Sequence, residues 1–489
     1  MAYLLALDQG TSSSRSILFD HLGNLVASAQ QEFTQYFPLT GWVEHDAMEI
    51  WQSQLATIHQ VLKQSHIKAQ DIAAIGITNQ RETTVVWHRK TGLPICRAIV
   101  WQDRRTAAWC EELKQQGYGK TIQEKTGLLL DPYFSASKIA WILRHVPEAR
   151  TLADRGELAF GTVDSWLAYQ LSGQTRHVTD VTNASRTMLW NIHTQQWDTE
   201  LLDLFDIPRQ LLPEVHPSSH DFGVSHLFGS AIPIAGIAGD QQSALFGQAC
   251  FHSGMAKNTY GTGCFSLLQT GAFCSQSQHG LISTTACQTN QHPQYALEGS
   301  VFIGGAVVQW LRDQLQLAPS AQRIAALASS VSDSDGVIFV PAFAGLGAPY
   351  WDANARGAIF GLHRGSTAAH IARAAIEAIA FQTAELLLAM QKDSPVPIVE
   401  LRVDGGAASN DALLQFQADL LGIPVIRPKI IETTALGVAY LAGLQTGIYN
   451  SAEECAALWK EQARFLPQIS QMQATSRLQA WKNAVNRLL

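Results

Sequence analysis

No apolar run in the sequence approaches the roughly 20 residues that a membrane-spanning helix requires. The start, Met1-Ala2-Tyr3-Leu4-Leu5-Ala6-Leu7-Asp8, has no basic segment and reaches a carboxylate before a secretory apolar region can form. Both absences lead us to expect a cytoplasmic protein with no membrane insertion. Dense Lys/Arg blocks are also missing: 34 basic residues stand against 41 acidic ones, for a formal charge of -7. A nucleic-acid partner therefore has little electrostatic support, and a small-molecule substrate fits better. The seven cysteines (Cys96, Cys110, Cys250, Cys264, Cys274, Cys287, Cys455) are odd in number and contain no Cys-x-x-Cys pair, so neither a disulfide framework nor a zinc site is signalled. The Gly-rich turns at 260–265 and 404–410 are not followed by Gly-Lys-Ser/Thr, and neither matches Gly-x-Gly-x-x-Gly.

What is present is a long globular chain. Its 489 residues exceed what one hydrophobic core usually supports, and 46% hydrophobic against 15% charged residues is the composition of large cores. Leu4 to Leu7, Ser16 to Phe19 and the run from Leu25 are short apolar stretches separated by turns, which predicts a three-stranded meander. Ile50, Trp51, Leu55, Ile58, Val61 and Leu62 have the spacing of an amphipathic helix, and Ile72 to Ile77 reads as a buried strand. The second half begins in a similar way, with strands either side of a Gly261-to-Gly263 turn and a helix from Gly304 to Leu315. A strand from Val399 to Val403 then runs into Asp404-Gly405-Gly406 and a helix from Asp411 to Leu421. These patterns suggest two related α/β lobes, 1–250 and 251–489, facing one cleft.

Several segments carry candidate chemistry. Asp8-Gln9-Gly10-Thr11-Ser12-Ser13-Ser14-Arg15 sets a carboxylate at a strand end before a turn rich in hydroxyls and free N–H groups. Such a turn can wrap phosphate while Asp8 holds a cation, or it can be an ordinary hairpin whose hydroxyls satisfy the turn. Asp240, after the apolar Ile232 to Ile237, is either an acid poised to deprotonate a substrate hydroxyl or a helix cap. Arg81 and Glu82 serve one ligand only if they lie past the end of their strand; otherwise they are a surface ion pair. Gly305 and Gln309 share one helix face, where the missing Cβ of Gly305 leaves room for a flat base.

Together these segments resemble the FGGY carbohydrate kinase family, within the actin-like and hexokinase-like ATPases. Its signatures are similar to the stretch from Tyr133 through Lys138 and Trp141 to His145, and to Gly357 through Gly361 and His370 to Glu377. The stretches 76–84, 99–102, 239–242, 258–265 and 345–351 resemble the family's glycerol-phosphorylating branch. The resemblance implies two actin-like, ribonuclease H-like lobes with an ATP and substrate cleft between them. It implies that Arg81, Glu82, Tyr133, Asp240 and Gln241 bind the hydroxyls of glycerol, with Trp101 and Phe265 against its carbons and Asp240 as general base. Thr11, Ser12, Ser13 and Arg15 would hold phosphates, Thr262, Gly305, Gln309, Gly406 and Asn410 would line the nucleotide side, and Mg²⁺ would sit near Asp8. Another polyol or pentulose kinase of the family, or a non-catalytic actin-like nucleotide switch, is the alternative.

The same resemblance bears on regulation. The short stretch from His226 to Pro233 departs from the Gly/Arg-rich loop through which some members bind fructose 1,6-bisphosphate, and 467–473 lacks the pattern docked by a sugar-transport regulator. His226-Leu227-Phe228-Gly229 instead resembles a loop at which a phosphocarrier activates other members, or it is a solvent-exposed loop without that role. A homo-oligomer, dimer or tetramer, is expected.

Overall fold

The computed structural model describes residues 2–352 and 354–489. Its first sheet is built from β1 (Tyr3–Gln9), β2 (Ser13–Asp20) and β3 (Leu25–Glu32), an antiparallel meander. Helix α1 (Ala47–Ser65) follows, started by the Asp46 side chain, which accepts from the N–H groups of Met48 and Glu49. It leads into β4 (Ile72–Asn79), parallel to β1. After a long excursion the chain returns as β5 (Ser219–Ser225) and β6 (Ile232–Gly239), giving the order β5-β6-β4-β1-β2-β3. The excursion has a core of its own, including Ile139, Ile142, Phe160, Leu189 and Phe205, and it carries Tyr133 and Arg186.

Helix α2 (Asp240–Gly247) closes the first half. The second sheet then repeats the plan with β7 (Met255–Tyr260), β8 (Cys264–Gly271), β9 (Ile282–Thr285) and β10 (Tyr295–Val301). After α3 (Ala306–Asp313) and α4 (Ala368–Asp393) come β11 (Glu400–Asp404), α5 (Asp411–Leu421), β12 (Val425–Pro428), α6 (Thr433–Gln445) and β13 (Glu461–Phe465). The order is β9-β10-β8-β7-β11-β12-β13. In both sheets an antiparallel meander is extended by two parallel strands, so β3-β2-β1-β4-β6 matches β10-β8-β7-β11-β12 in order and direction. The repeated start of the second half in the sequence is thus a repeated topology.

β1 is apolar at successive positions because both faces of its sheet are covered. Side chains alternate, so Leu5 and Leu7 pack with Ile50, Ile58 and Val61 of α1, whereas Leu4 and Ala6 pack with Leu436, Val438 and Tyr440 of α6. A helix from the second half therefore covers the back of the first sheet. Glycines allow that approach: a Cβ on Gly76 or Gly236 would lie 2.4 Å from the Val438 carbonyl oxygen or 2.8 Å from the Ala442 nitrogen. The same holds where α2 crosses α6, since a Cβ on Gly247 would lie 2.0 Å from the Thr433 oxygen and one on Gly437 1.9 Å from the Ser243 oxygen. Among the described residues no helix is long and apolar enough to cross a membrane, and all seven cysteines are free thiols.

Candidate active site

The β1–β2 hairpin aligns Asp8 opposite Arg15. Arg15 Nη1 lies 3.6 Å from Asp8 Oδ2, and its Nη2 donates to Glu432 Oε2 from the start of α6. Burial pushes the Asp8 carboxyl up to about 6, against the pull of Arg15 and with the charges of Glu432 and Asp240 adding to the rise. A buried carboxylate whose neighbouring cation, Arg15, is shared with Glu432 can take a further cation, and a hard divalent ion bound by one or two carboxylates plus phosphate oxygens would suit it. Thr11 and Ser12 are accessible at the tip, whereas the Ser13 hydroxyl accepts from Gln30 Nε2 at 3.0 Å. Thr11 Oγ1 also accepts from Trp101 Nε1 at 3.1 Å, which joins the hairpin to the next group of residues.

Arg81 and Glu82 lie just past the end of β4, as a shared ligand site requires. They are not a surface pair, being only 3% and 1% exposed. Asp240 enters from the neighbouring strand end, as the first residue of α2 after β6, with Gly239 rather than Asp240 in the cap position. Parallel strand ends are where open α/β sheets collect ligand-binding groups. Arg81 Nε lies 3.1 Å from Asp240 Oδ1, which also accepts from the Gln241 N–H at 2.7 Å. Among the described residues Asp240 Oδ2 has only the Gln241 side chain, at 3.3 Å, and the carboxylate is one-third exposed. Gln241 Oε1 in turn accepts from Lys257, whose buried ammonium is brought down to about 8 by desolvation, against nearby Asp404, Asp240 and Glu298.

Tyr133 and Trp101 meet edge to face with ring centroids 5.4 Å apart, forming an aromatic wall beside these charges. Phe265 sits on β8 opposite Thr259, whose hydroxyl accepts from Lys257 at 3.0 Å. The structure thus gathers the acid, the amide, the Arg–Glu pair, Trp101 and Tyr133 at one end of the first sheet, with Phe265 on the second sheet.

The other wall is built from the second sheet. The β7–β8 turn exposes Thr262, and Gly304 and Gly305 donate their N–H groups to the Thr262 and Gly261 carbonyls, both at 2.8 Å. A Cβ on Gly305 would lie 2.8 Å from the Gly261 oxygen, so its missing side chain admits the turn itself, where a flat base was expected. Gln309 is exposed on the first turns of α3. After β11, Gly405 has φ of 86° and Gly406 faces open space. The Asn410 side-chain oxygen caps α5 through Leu413 N at 3.2 Å, which leaves its NH₂ group as a donor. Asp404 accepts from Gln248 and Thr433 at 2.9 and 2.5 Å.

Sequence reasoning missed Arg186, Lys257, Glu298 and Glu432. Arg186, Lys257 and Glu298 are marked only by the uncommon burial of a charge, and the half-buried Glu432 only by its pairing with the distant Arg15. Among the described residues no three His, Cys, Asp or Glu side chains cluster as a ready metal site.

Residues 3–247 match the N-terminal domain of the FGGY family of carbohydrate kinases, and residues 256–446 match its C-terminal domain. A glycerol kinase of Acidovorax ebreus is 61% identical over 99% of both chains, and one of Ralstonia nicotianae is 62% identical over 99% of this chain and 98% of its own. The crystal structure of Plasmodium falciparum glycerol kinase with ADP is 37% identical, with a TM-score of 0.95, covering 100% of this chain and 98% of that one. The xylulose kinase of Lactobacillus acidophilus shares the fold, at 24% identity and a TM-score of 0.90, over 100% of this chain and 98% of that one. Two sheet-bearing lobes of matching topology, a polar cleft between them and full-length matches lead to one conclusion: the chain belongs to the FGGY family of carbohydrate kinases.

Proposed function

We propose that this kinase transfers the γ-phosphoryl group of ATP to a terminal hydroxyl of glycerol, giving sn-glycerol 3-phosphate, the entry step of glycerol breakdown. The observation that carries the reading is the Asp240 carboxylate: Oδ1 is held by Arg81 and the Gln241 N–H, while Oδ2 is left with one long contact at the cleft. Oδ2 is then the atom that takes the proton as the substrate oxygen attacks phosphorus. The relatives named glycerol kinase support the choice of acceptor.

Arg81, Glu82, Tyr133 and Gln241 would pair the hydroxyls of the polyol, with Trp101 and Phe265 against its carbons. A site that pairs each hydroxyl rejects analogues lacking one. Thr11, Ser12, Ser13 and Arg15 would hold phosphates from one side, with Thr262, Gly305, Gln309, Gly406 and Asn410 around the nucleotide on the other. Asp8 would hold Mg²⁺, which when bound neutralises phosphate charge.

We place the lobe boundary at 250/251, supported by family matches that end at 247 and resume at 256. A cytoplasmic homo-oligomer is proposed with it, and His226, exposed between β5 and β6, as a site for a phosphocarrier. The deciding experiment is coupled detection of ADP with and without glycerol. Glycerol-dependent ADP release is expected. Release indifferent to glycerol overturns the proposal, and stimulation by a pentulose alone transfers it to another member of the family.

A further inference from the structure

Glu298 stands in the middle of β10, in the second lobe, and is only 3% exposed. Its two oxygens receive both terminal nitrogens of Arg81, at 2.5 and 3.0 Å, and Oε1 lies 3.1 Å from Arg186 Nη2. Arg186 donates its Nε to Glu82 at 2.6 Å, so two guanidinium groups and two carboxylates form a buried, charge-balanced set that Asp240 joins through Arg81 Nε. Three of its members come from the first lobe and Glu298 alone from the second.

A bidentate carboxylate fixes the plane of a guanidinium group, which a single contact does not. With both terminal nitrogens of Arg81 held by Glu298, and Nη1 also donating to Gln242 at 3.1 Å, the Nε edge is the one directed at Asp240. Burial alone would raise the Glu298 carboxyl, but Arg186 and Arg81 outweigh it and hold the group at about 2. Were the charge removed, Arg81 and Arg186 would have to share Glu82 and Asp240. Arg81 would then be drawn from its present plane toward the carboxylate assigned as the base.

We infer that Glu298 is a positioning residue for the phosphoryl acceptor: it reaches across from the second lobe to set the orientation of Arg81, so the acceptor site is complete only when β10 is docked against the end of β4. This rests on the reading of Arg81, Glu82 and Asp240 as the acceptor site. A purely structural ion pair between lobes makes a different forecast, because it would disturb nucleotide and acceptor alike.

The test is steady-state kinetics of Glu298→Gln and Glu298→Asp with each substrate varied, together with ADP affinity by calorimetry. The Gln variant is expected to lose about 10- to 100-fold in kcat/KM for the acceptor, the range of one charge-assisted hydrogen bond. Its KM for ATP and its ADP affinity should stay within about twofold of the wild type. The Asp variant keeps the charge and should recover part of the loss. An unchanged acceptor kcat/KM in the Gln variant, or acceptor and nucleotide parameters falling together, overturns the inference. Should the Gln variant fail to fold, the Asp variant decides: a raised acceptor KM with an unchanged ATP KM supports positioning, and two wild-type values refute it. A wild type active on a pentulose and not on glycerol would overturn the acceptor's identity while leaving Glu298 testable on that pentulose.

Discussion

Arg15 on the first hairpin donates to Glu432 at the start of α6, joining residues 417 positions apart across the mouth of the cleft. The same guanidinium group faces Asp8 at 3.6 Å. Arg15 is therefore held between two carboxylates at the place assigned to the phosphates, and an incoming triphosphate must draw it from Glu432. Replacing it by Gln removes a charge-assisted donor, and the KM for ATP should rise about 10- to 100-fold while that for glycerol changes little. Equal changes in both would remove Arg15 from the phosphate site.

Asp240→Asn keeps the shape and the acceptor for the Gln241 N–H, but sets an NH₂ donor where Oδ2 accepts and so removes the proton acceptor. Turnover should fall by about 10² to 10⁴-fold, with ADP affinity by calorimetry unchanged. A variant that keeps its kcat would place the base elsewhere.

Two glycines on the nucleotide side should behave differently. A side chain at Gly406 enters open space, so Gly406→Leu should melt near the wild-type temperature yet raise the KM for ATP about tenfold or more. Gly305→Leu drives into the Gly261 carbonyl, so it should also lower the melting temperature and still affect ATP far more than glycerol. Thermal scans beside kinetics distinguish obstruction of the ligand from distortion of the turn.

The crossing of α2 and α6 leaves no room for a methyl group. Gly247→Ala sets a Cβ 2.0 Å from a backbone oxygen, and overpacking of this kind costs about 1–3 kcal/mol. Gly119→Ala is the control: it lies in the helix Tyr118–Thr126 with nothing within 4 Å, and should be neutral or stabilising by up to about 1 kcal/mol. Denaturant unfolding of both measures the contrast.

Asp164 provides a pH test of buried structure. Burial raises its carboxyl to about 7, although Thr162 and Thr179 donate to it at 2.5 and 2.6 Å. The folded form holds the proton more tightly than the unfolded chain, so this group favours folding at low pH. That advantage is lost as pH rises from about 4 through about 7. Relative to the wild type, Asp164→Asn should therefore gain stability across that interval, read as the difference between two unfolding curves at each pH. A difference independent of pH would contradict the raised carboxyl.

The local elements were legible where one physical rule acted alone. The first meander follows from short apolar runs between turn residues, and α5 from the apolar run after the Gly-rich turn; the structure begins it at Asp411 and ends it at Leu421, as expected. For Arg81 and Glu82 the sequence left a ligand pair and a surface ion pair open, and it is their burial that decides between them. What escaped the sequence depended on partners far along the chain. Nothing in 433–445 says that its apolar surface belongs on the first sheet, because a helix buried all round has no stripe to orient it. Arg186 and Glu298 are likewise unremarkable until folding brings them within 3.1 Å.

The placement of α6 also governs the timing of synthesis. Leu4, Ala6, Ile17 and Phe19 are made early, yet the helix that covers them is among the last segments to be translated. At roughly 5–20 residues per second, the back of the first sheet waits on the order of 10 s or more for its cover. During that interval it offers an uncovered apolar face of the kind that chaperones bind. Premature termination before residue 433 would leave it bare for good, so a shortened chain should aggregate even with every proposed acceptor-site residue present.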